Sequence, residues 1–455
     1  MKKNFLFLCF LIVVLAFTVF SNTQVTINEP GEDEQSGEEV VVINTDEVNK
    51  GGGEEVETSG NFHSYKRRAP VPYYSEMDLG WGIRNASSFL LGVDTDLLIQ
   101  QNLMTVSSMK QLYDTIKSTD TIDLSKYSEG IKAVIDGEVN ISLDENTNLF
   151  AGLVFDRLSV GVFGDVTLDS TIDLPAWPFE VIISGNEIGK EYKPYSSTDT
   201  VLESTVSLGG FLGYKADTYS VNLNIGKYGP VLHSNMHRQF EFESTNTLSA
   251  TAVVAGEIYS SFDPKKIEFD DVKSIIKNGG WKVDFGFVYG RDYPVLGLDV
   301  KNIAITEAKF THKADFSAEA LFKFDPTETD PATYSTDITD ELVWESAKGT
   351  YKAKPTISGF FNLPINDSLW GQLHLQKRPI SGFLYGGNVT AFIGNAFSIM
   401  VDYSRSQKNF NYFSTGIGFR TGNSRVDINA GIGMKGFNFS ALTSPKIGVT
   451  TTVFF

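Results

Sequence analysis

Two histidines stand four residues apart in this chain, and a pair of imidazoles at that spacing binds metal when a helix presents both on one face. His233 and His237 follow Gly229-Pro230. The glycine-proline pair and the strand-like residues around the histidines predict a loop rather than a helix. No third ligand is recognisable nearby, so the spacing alone does not predict a metal site.

Other residue types that carry out chemistry are scattered. The remaining histidines, His63, His312 and His374, pair with no evident acid and nucleophile, and G-x-S-x-G, H-E-x-x-H and phosphate-cradling glycine motifs are missing. Cys9, the single cysteine, lies inside an apolar run near the N-terminus. Removal of that run leaves no thiol for catalysis, disulfides or metal binding. We therefore expect no enzyme activity, no cofactor and no metal.

A further set of polar residues fits a lumen better than an active site. Each of them alternates with large apolar residues, so each would face the interior if the strands closed into a barrel. Rings of mixed charge in a water-filled pore set ion preference, while hydrogen bonding that only holds the barrel rigid explains any single residue equally well. The lumen-lining candidates are Asp284, Asp299, Lys301, Gln372, His374, Asp402, Arg420, Asp427 and Asn429.

The N-terminal region predicts secretion followed by a solvated tail. Lys2 and Lys3 precede an apolar run over residues 5–20. Small residues before a cleavage site after Ser21 complete the pattern of a signal peptide over residues 1–21. Residues 22–62 carry eleven acidic residues against Lys50 alone, which predicts an acidic disordered tail. Alternatively, this tail plugs the lumen or binds cations, and the residues do not decide between these roles. The formal net charge of −18 argues against a nucleic-acid partner.

Residues 63–455 have the pattern of a membrane barrel. In Trp281 to Tyr289, large apolar residues alternate with Lys282, Asp284 and Gly286. The polar faces of such segments are rich in Gly, Asn and Ser, which suits a confined lumen better than a soluble surface. Aromatic residues near segment ends predict girdles at the lipid–water boundary. We predict an all-β fold, a transmembrane antiparallel β-barrel of about 14 strands within a range of about 12 to 18, with helical insertions near 104–136 and 266–280.

The last ten residues, from Lys446 to Phe455, alternate as a strand that stops on an aromatic residue. In a closed barrel such a strand pairs with the first strand and leaves no exposed edge. The segment resembles the C-terminal strand of bacterial outer-membrane barrels, in which the terminal phenylalanine is an assembly signal. The resemblance implies this role for Phe455, and it implies outer-membrane lipid and the barrel-assembly machinery of a diderm bacterium as partners.

A second resemblance covers residues 269–303. A short helical segment ends at Gly279-Gly280, Asp284-Phe285-Gly286 lies on the next strand, and Gly297 precedes Asn302-Ile303 on the returning strand. This hairpin resembles that of the FadL-type superfamily of outer-membrane proteins, which includes conjugal-transfer relatives. The resemblance implies a fourteen-stranded barrel and passage of hydrophobic compounds. The best-known members begin with an apolar hatch where this chain has an acidic tail, so no ligand-binding residues carry over.

These observations predict an outer-membrane channel or transporter for passive passage of small solutes, to which the resemblance adds hydrophobic compounds. The alternative is a plugged barrel with a structural, surface-attachment or partner-docking role. The helical insertions would gate or narrow the lumen in the first case.

Overall fold

The computed structural model describes most of the chain from residue 88 onward. The described residues are 88–102, 138–177, 192–244, 248–262, 277–290, 294–324, 332–338, 342–366, 368–393, 396–420, 424–436 and 444–454.

Fourteen of the described strands form one closed antiparallel ring, in which each strand pairs with its two neighbours and β18 pairs with β1. This confirms the predicted fold class and the central strand count. The ring strands are β1 (Phe89–Gln101), β2 (Glu138–Phe155), β3 (Leu158–Pro175), β4 (Tyr195–Lys215), β5 (Tyr219–Ser244), β7 (Gly280–Tyr289), β8 (Leu296–Ala304), β12 (Thr356–Pro364), β13 (Leu369–Arg378), β14 (Gly382–Ile393), β15 (Phe397–Ser406), β16 (Phe410–Arg420), β17 (Ser424–Lys435) and β18 (Ser444–Phe454).

The wall of the ring is apolar outside and polar inside. On β7, Trp281 and Tyr289 are exposed, whereas Lys282 and Asp284 are fully buried. On β15, Val401 is exposed and Asp402 is buried. This arrangement inverts that of a soluble protein, and it matches the polarity predicted from the alternation of the sequence.

Inward glycines make room for inward aromatic rings on neighbouring strands. The Phe150 ring of β2 lies directly over Gly92 of β1, and the Phe211 ring of β4 covers Gly161 of β3, so a side chain at either glycine would collide with the ring. These rings join Leu90, Val154 and Phe163 in an apolar cluster inside the ring. The high glycine content of the inner face therefore has a packing cause.

Four further strands form a sheet, here called the extension, that continues from the ring beyond β5. The first part of β5 (219–228) pairs with β7, and its second part (233–244) pairs with β6. The order continues from β6 to β9, which then pairs with both β10 and β11. The extension strands are β6 (Leu248–Ser260), β9 (Ala308–Phe324), β10 (Ala332–Ile338) and β11 (Glu345–Tyr351).

The extension has the polarity of a soluble sheet. On β9, Lys309, Asp315 and Glu319 are exposed, while Phe310 and Ala314 are buried. The apolar outer surface of the ring therefore stops where the extension begins.

Several sequence expectations fall outside the described residues. These are the signal peptide and acidic tail, the assembly-signal residue Phe455, the whole insertion near 104–136, and most of the insertion near 266–280, of which Lys277 and Asn278 are helical. Among the described residues, no helix is long and apolar enough to cross a membrane.

Candidate functional site

The lumen-lining candidates are distributed over six strands of the ring, and all those with described side chains are buried. They alternate with exposed apolar residues, as His374 does with Leu373 and Leu375. The side chain of Arg420 is not described, although its backbone pairs with Arg425. The buried candidates are Asp284, Asp299, Lys301, Gln372, His374, Asp402, Asp427 and Asn429. Their role in lining a conducting path stays a prediction.

A buried ion cluster centres on Lys282. Its ammonium lies 2.8 Å from Asp165 of β3 and 3.0 Å from Asp284 of its own strand. It also donates to the side-chain oxygen of Asn302 at 3.0 Å, and the ring of Phe163 lies under it at 5.5 Å. One lysine is thereby shared by two carboxylates, and each of these buried ions would be strongly destabilising without such a partner.

The same cluster fixes a bulge in β8. Lys301 and Asn302 together oppose the single residue Asp284 on β7, and Asn302 has a positive φ of 59°. The Asp284 carboxylate accepts the backbone N–H of Asn302 at 2.6 Å. Asparagine tolerates this left-handed conformation better than most residues. Asp284 and Asn302, which were both part of the sequence resemblance, are thus joined in one structural unit.

Other polar contacts bridge the lumen from wall to wall. Arg378, at the end of β13, lies 3.5 Å from Asp96 of β1 and 3.5 Å from Asp144 of β2. Strand β13 is halfway around the ring from β2. Lys301 of β8 likewise reaches across to the amide oxygen of Asn148 on β2 at 2.8 Å. Opposite walls of the barrel are therefore in direct contact at this height.

Asp169 of β3 adds a bridge to the turn between β13 and β14. Its two carboxylate oxygens accept the backbone N–H groups of Ile380 at 2.7 Å and Ser381 at 3.1 Å. The turn residues and Arg378 thus hold one part of the lumen wall against β1–β3.

A ladder of amides covers another part of the interior. Gln372 donates to Asn362 at 2.8 Å and accepts from Asn388 at 2.7 Å, linking β12, β13 and β14. Farther around the ring, Lys446 lies 3.2 Å from Asp402, and His374 lies 3.6 Å from the same carboxylate. Gln372 and Asp402 thus have polar partners across the interior, while His374 and Asp402 lie beyond hydrogen-bond distance of each other.

A cavity of about 40 Å³ lies among the bridging residues. That space holds about three waters, since one water needs roughly 10–15 Å³ measured in this way. Acidic residues come from β2, β3 and β4, and basic residues come from β8, β13 and the β11–β12 connection, with Asp299 of β8 as an acidic residue among the basic ones. The charged lining residues are Glu145, Asp169, Glu203, Asp299, Lys301, Lys354 and Arg378.

An aromatic cluster marks the junction between ring and extension. The Tyr228 hydroxyl of β5 donates to the carbonyl oxygen of Thr306 at 2.9 Å and lies 3.2 Å from that of Tyr351, and it accepts the N–H of Ala353 at 3.3 Å. It thereby holds the β8–β9 and β11–β12 connections together. His233 packs beside Tyr351 and stacks on Phe310, with ring centroids 5.2 Å and 5.6 Å apart.

The prediction of a loop at His233 and His237 was wrong, because both lie on β5. Pro230 is tolerated within that strand because Val231 is an extra residue of a bulge against β4. His237 pairs with the Thr198 hydroxyl at 2.9 Å. Burial and the nearby Lys354 lower the pKa of His233 to about 4. Within the described residues, no group of three His, Cys, Asp or Glu side chains is placed to hold a metal ion.

Solved structures with a similar arrangement of strands include hydrocarbon channels and a FadL homologue. The barrel resembles FadL-type channels. The CymD monoaromatic hydrocarbon channel is 8% identical, with 82% of this chain and 90% of that one covered and a TM-score of 0.37. The Ralstonia pickettii toluene transporter TbuX is also 8% identical, with 82% and 90% covered and a TM-score of 0.35.

A Pseudomonas aeruginosa FadL homologue is 12% identical, with 81% of this chain and 90% of that one covered and a TM-score of 0.35. No family model matches the sequence. No curated protein matches it either.

Proposed function

We propose that this protein is an outer-membrane β-barrel that acts as a channel or transporter for small solutes. The observation that carries the proposal is the inverted polarity of the closed ring, with apolar side chains outside and a charged, hydrogen-bonded interior. A closed barrel satisfies every backbone hydrogen bond within the wall, so this surface is suited to lipid. The polar interior is suited to water and solutes.

The connections support an orientation. Short turns join β2 to β3 and β4 to β5 at one end of the ring, whereas the extension and the longer connections lie at the other. In outer-membrane barrels the short turns face the periplasm and the long loops face outward. The extension would then stand at the cell surface, with outer-membrane lipid around the ring and the barrel-assembly machinery as the insertion partner.

The lining supports a preference for polar solutes. The cavity is bounded by carboxylates, ammonium groups and a guanidinium, and these groups interact more favourably with water and polar solutes than with hydrocarbons. Hydrophobic compounds, for which the similar channels are named, are the second solute class to test. Passage is passive in this proposal, and it requires the wall-to-wall contacts of Arg378 to separate.

Single-channel conductance of the full-length protein in planar bilayers tests the proposal. We expect small, stable steps from the wild-type protein and larger steps from Arg378→Gln, because that change removes the ionic contacts with Asp96 and Asp144. Lys313→Gln, in an ion pair of the extension, is the matched control and should leave the steps unchanged. Asp284→Asn should alter ion preference if this residue lines the conducting path.

The same bridging contacts favour one alternative, a barrel that stays shut and has a structural, surface-attachment or docking role. A folded, inserted barrel that is silent both as wild type and as Arg378→Gln would support this alternative against the channel. Resistance to unfolding in detergent gels until boiling would establish that the silent protein is folded.

A further inference from the structure

Charge is unevenly distributed around the lumen, although Asp284 and Asp299 are buried among the basic residues of β7 and β8. Strands β1–β4 contain one basic residue, Lys215 at the end of β4, yet they bury a series of carboxylates. Basic side chains reach the interior from β7, β8, β13 and the β11–β12 connection, where Lys282, Lys301, Arg378 and Lys354 lie. The buried acidic residues of β1–β4 are Asp94, Asp96, Asp144, Glu145, Asp165, Asp169 and Glu203.

The two sides meet at the cavity. Glu203 of β4 lies 2.9 Å from Lys354 and also receives the Tyr351 hydroxyl at 3.4 Å. Arg378 contacts Asp144 at 3.5 Å. A solute in the cavity therefore has the carboxylates of β2–β4 on one side and cationic groups together with the Asp299 carboxylate on the other, in a confined space where charges are weakly screened.

We infer that this cavity is a selectivity site for small zwitterions such as α-amino acids. The ammonium group of the solute faces Glu145, Asp169 and Glu203, and its carboxylate faces Lys354 and Arg378. This inference rests on the proposed function, since it names the solute class that the same lumen would pass.

The reason lies in the pairing of buried charges. An anion that binds Lys354 leaves the buried Glu203 carboxylate without its cation, which is strongly unfavourable, whereas a cation that binds Glu203 leaves Lys354, whose side chain is half exposed, at a smaller cost. A zwitterion supplies both a cationic group for Glu203 and an anionic group for Lys354. A neutral solute supplies neither. The small volume of the cavity limits the favoured solute to one about the size of glycine, unless the walls separate further.

Uptake by proteoliposomes containing the full-length protein tests the inference with four labelled probes of nearly equal size. Glycine is the zwitterion, glycinamide the cation, glycolate the anion and glycolamide the neutral compound, each corrected for protein-free liposomes. We expect glycine to enter about tenfold faster than glycolamide, the effect of one hydrogen bond to a charged group. Equal rates for glycine and glycolamide would overturn the inference while leaving the channel in place.

Variants of the Glu203–Lys354 pair distinguish an effect of charge on solute preference from an effect of misfolding. Glu203→Gln and Lys354→Met should each reduce the preference for glycine over glycolamide. The double variant Glu203→Lys with Lys354→Glu should restore it, because a zwitterion can bind in the reverse direction. Failure of the double variant to restore the preference counts against the site. Glu257→Gln, in the extension and outside the cavity, is the matched control and should behave as wild type.

Calorimetric binding of glycine to the detergent-purified protein distinguishes the two proposals. Binding of glycine without uptake of any probe would overturn the channel and retain the site. Neither binding nor uptake would overturn both.

Discussion

Strand β5 belongs to both parts of the molecule, and its outward side chains change character between them. Val221, Leu223 and Ile225 face outward where β5 pairs with β7, whereas Asn235 and Glu241 face outward where it pairs with β6. The backbone stays in one continuous strand. Polarity is therefore determined by the surroundings of each half and not by the local fold, and in the proposed membrane-inserted barrel this change would place the membrane boundary between residues 225 and 235.

Ion pairs differ between the two parts in the same way. Lys282 is fully buried between Asp165 and Asp284, whereas Lys313 forms an ion pair with Glu257 at 2.9 Å on the surface of the extension. A buried pair becomes a liability when one member is removed, while a solvent-exposed pair contributes little.

The largest expected effect comes from breaking the buried cluster. Lys282→Met should lower the free energy of unfolding by about 3–5 kcal/mol, because two carboxylates stay buried without their cation. Urea unfolding in detergent or lipid, followed by tryptophan fluorescence, measures the change. The matched variant Lys313→Met should unfold at nearly the wild-type urea concentration. Similar losses from the two variants would contradict the contrast drawn between the ring and the extension.

The second expected effect tests the outer surface of one strand. Ile225→Arg should destabilise the inserted barrel by about 2–4 kcal/mol if the residue lies near the bilayer midplane, because it places a charge in lipid. Asn235→Arg, ten residues farther along β5, should change stability by less than about 1 kcal/mol, since it remains in water. Unfolding in lipid vesicles compares the two. If Ile225→Arg leaves the stability unchanged, Ile225 does not face lipid.

The smallest expected effect concerns the junction between the ring and the extension and depends on pH. The folded-state pKa of His233 is about 4, below its ordinary 6.5, so the unfolded chain binds the extra proton first as the pH falls. Stability contributed by this residue is present above about pH 6.5 and is lost between pH 6.5 and 4.

Denaturation midpoints at pH 7.5 and pH 5 measure this dependence. His233→Phe should show a smaller drop between the two pH values than wild type, because other titrating groups affect both proteins equally. An equal drop in the two proteins would show that His233 does not titrate with a lowered pKa.

The ring could be predicted from the sequence because two constraints act on every strand. Lipid requires an apolar outer residue and the lumen requires a polar or small inner one, so alternation is strong, as in Trp281 to Tyr289. The extension was not predicted, because the strands from Phe240 to Tyr259 alternate with soluble polarity and could be counted as one strand or two. Tertiary pairing separates them into β5 and β6.

The inward burial of single candidate residues could be predicted, but their partners could not. The contact between Arg378 and Asp144 joins strands on opposite sides of the ring, and no local pattern encodes such a distance. Inward burial follows from alternation, whereas cross-lumen pairing depends on the register of every strand between. One signal was available in the sequence: the near absence of basic residues from β1–β4, set against the basic residues of later strands.

The seam between the first and last strands has a kinetic consequence. Leu90 pairs with Phe454 and Leu98 with Lys446, so the ring joins segments from the two ends of the described chain. Contacts between residues so distant in sequence form slowly, since a long loop must close before they stabilise the fold. Until β18 arrives, β1 and β17 each present an unpaired edge with apolar side chains, which is prone to aggregation. We therefore expect the chain to be most prone to aggregation in the period before this seam closes.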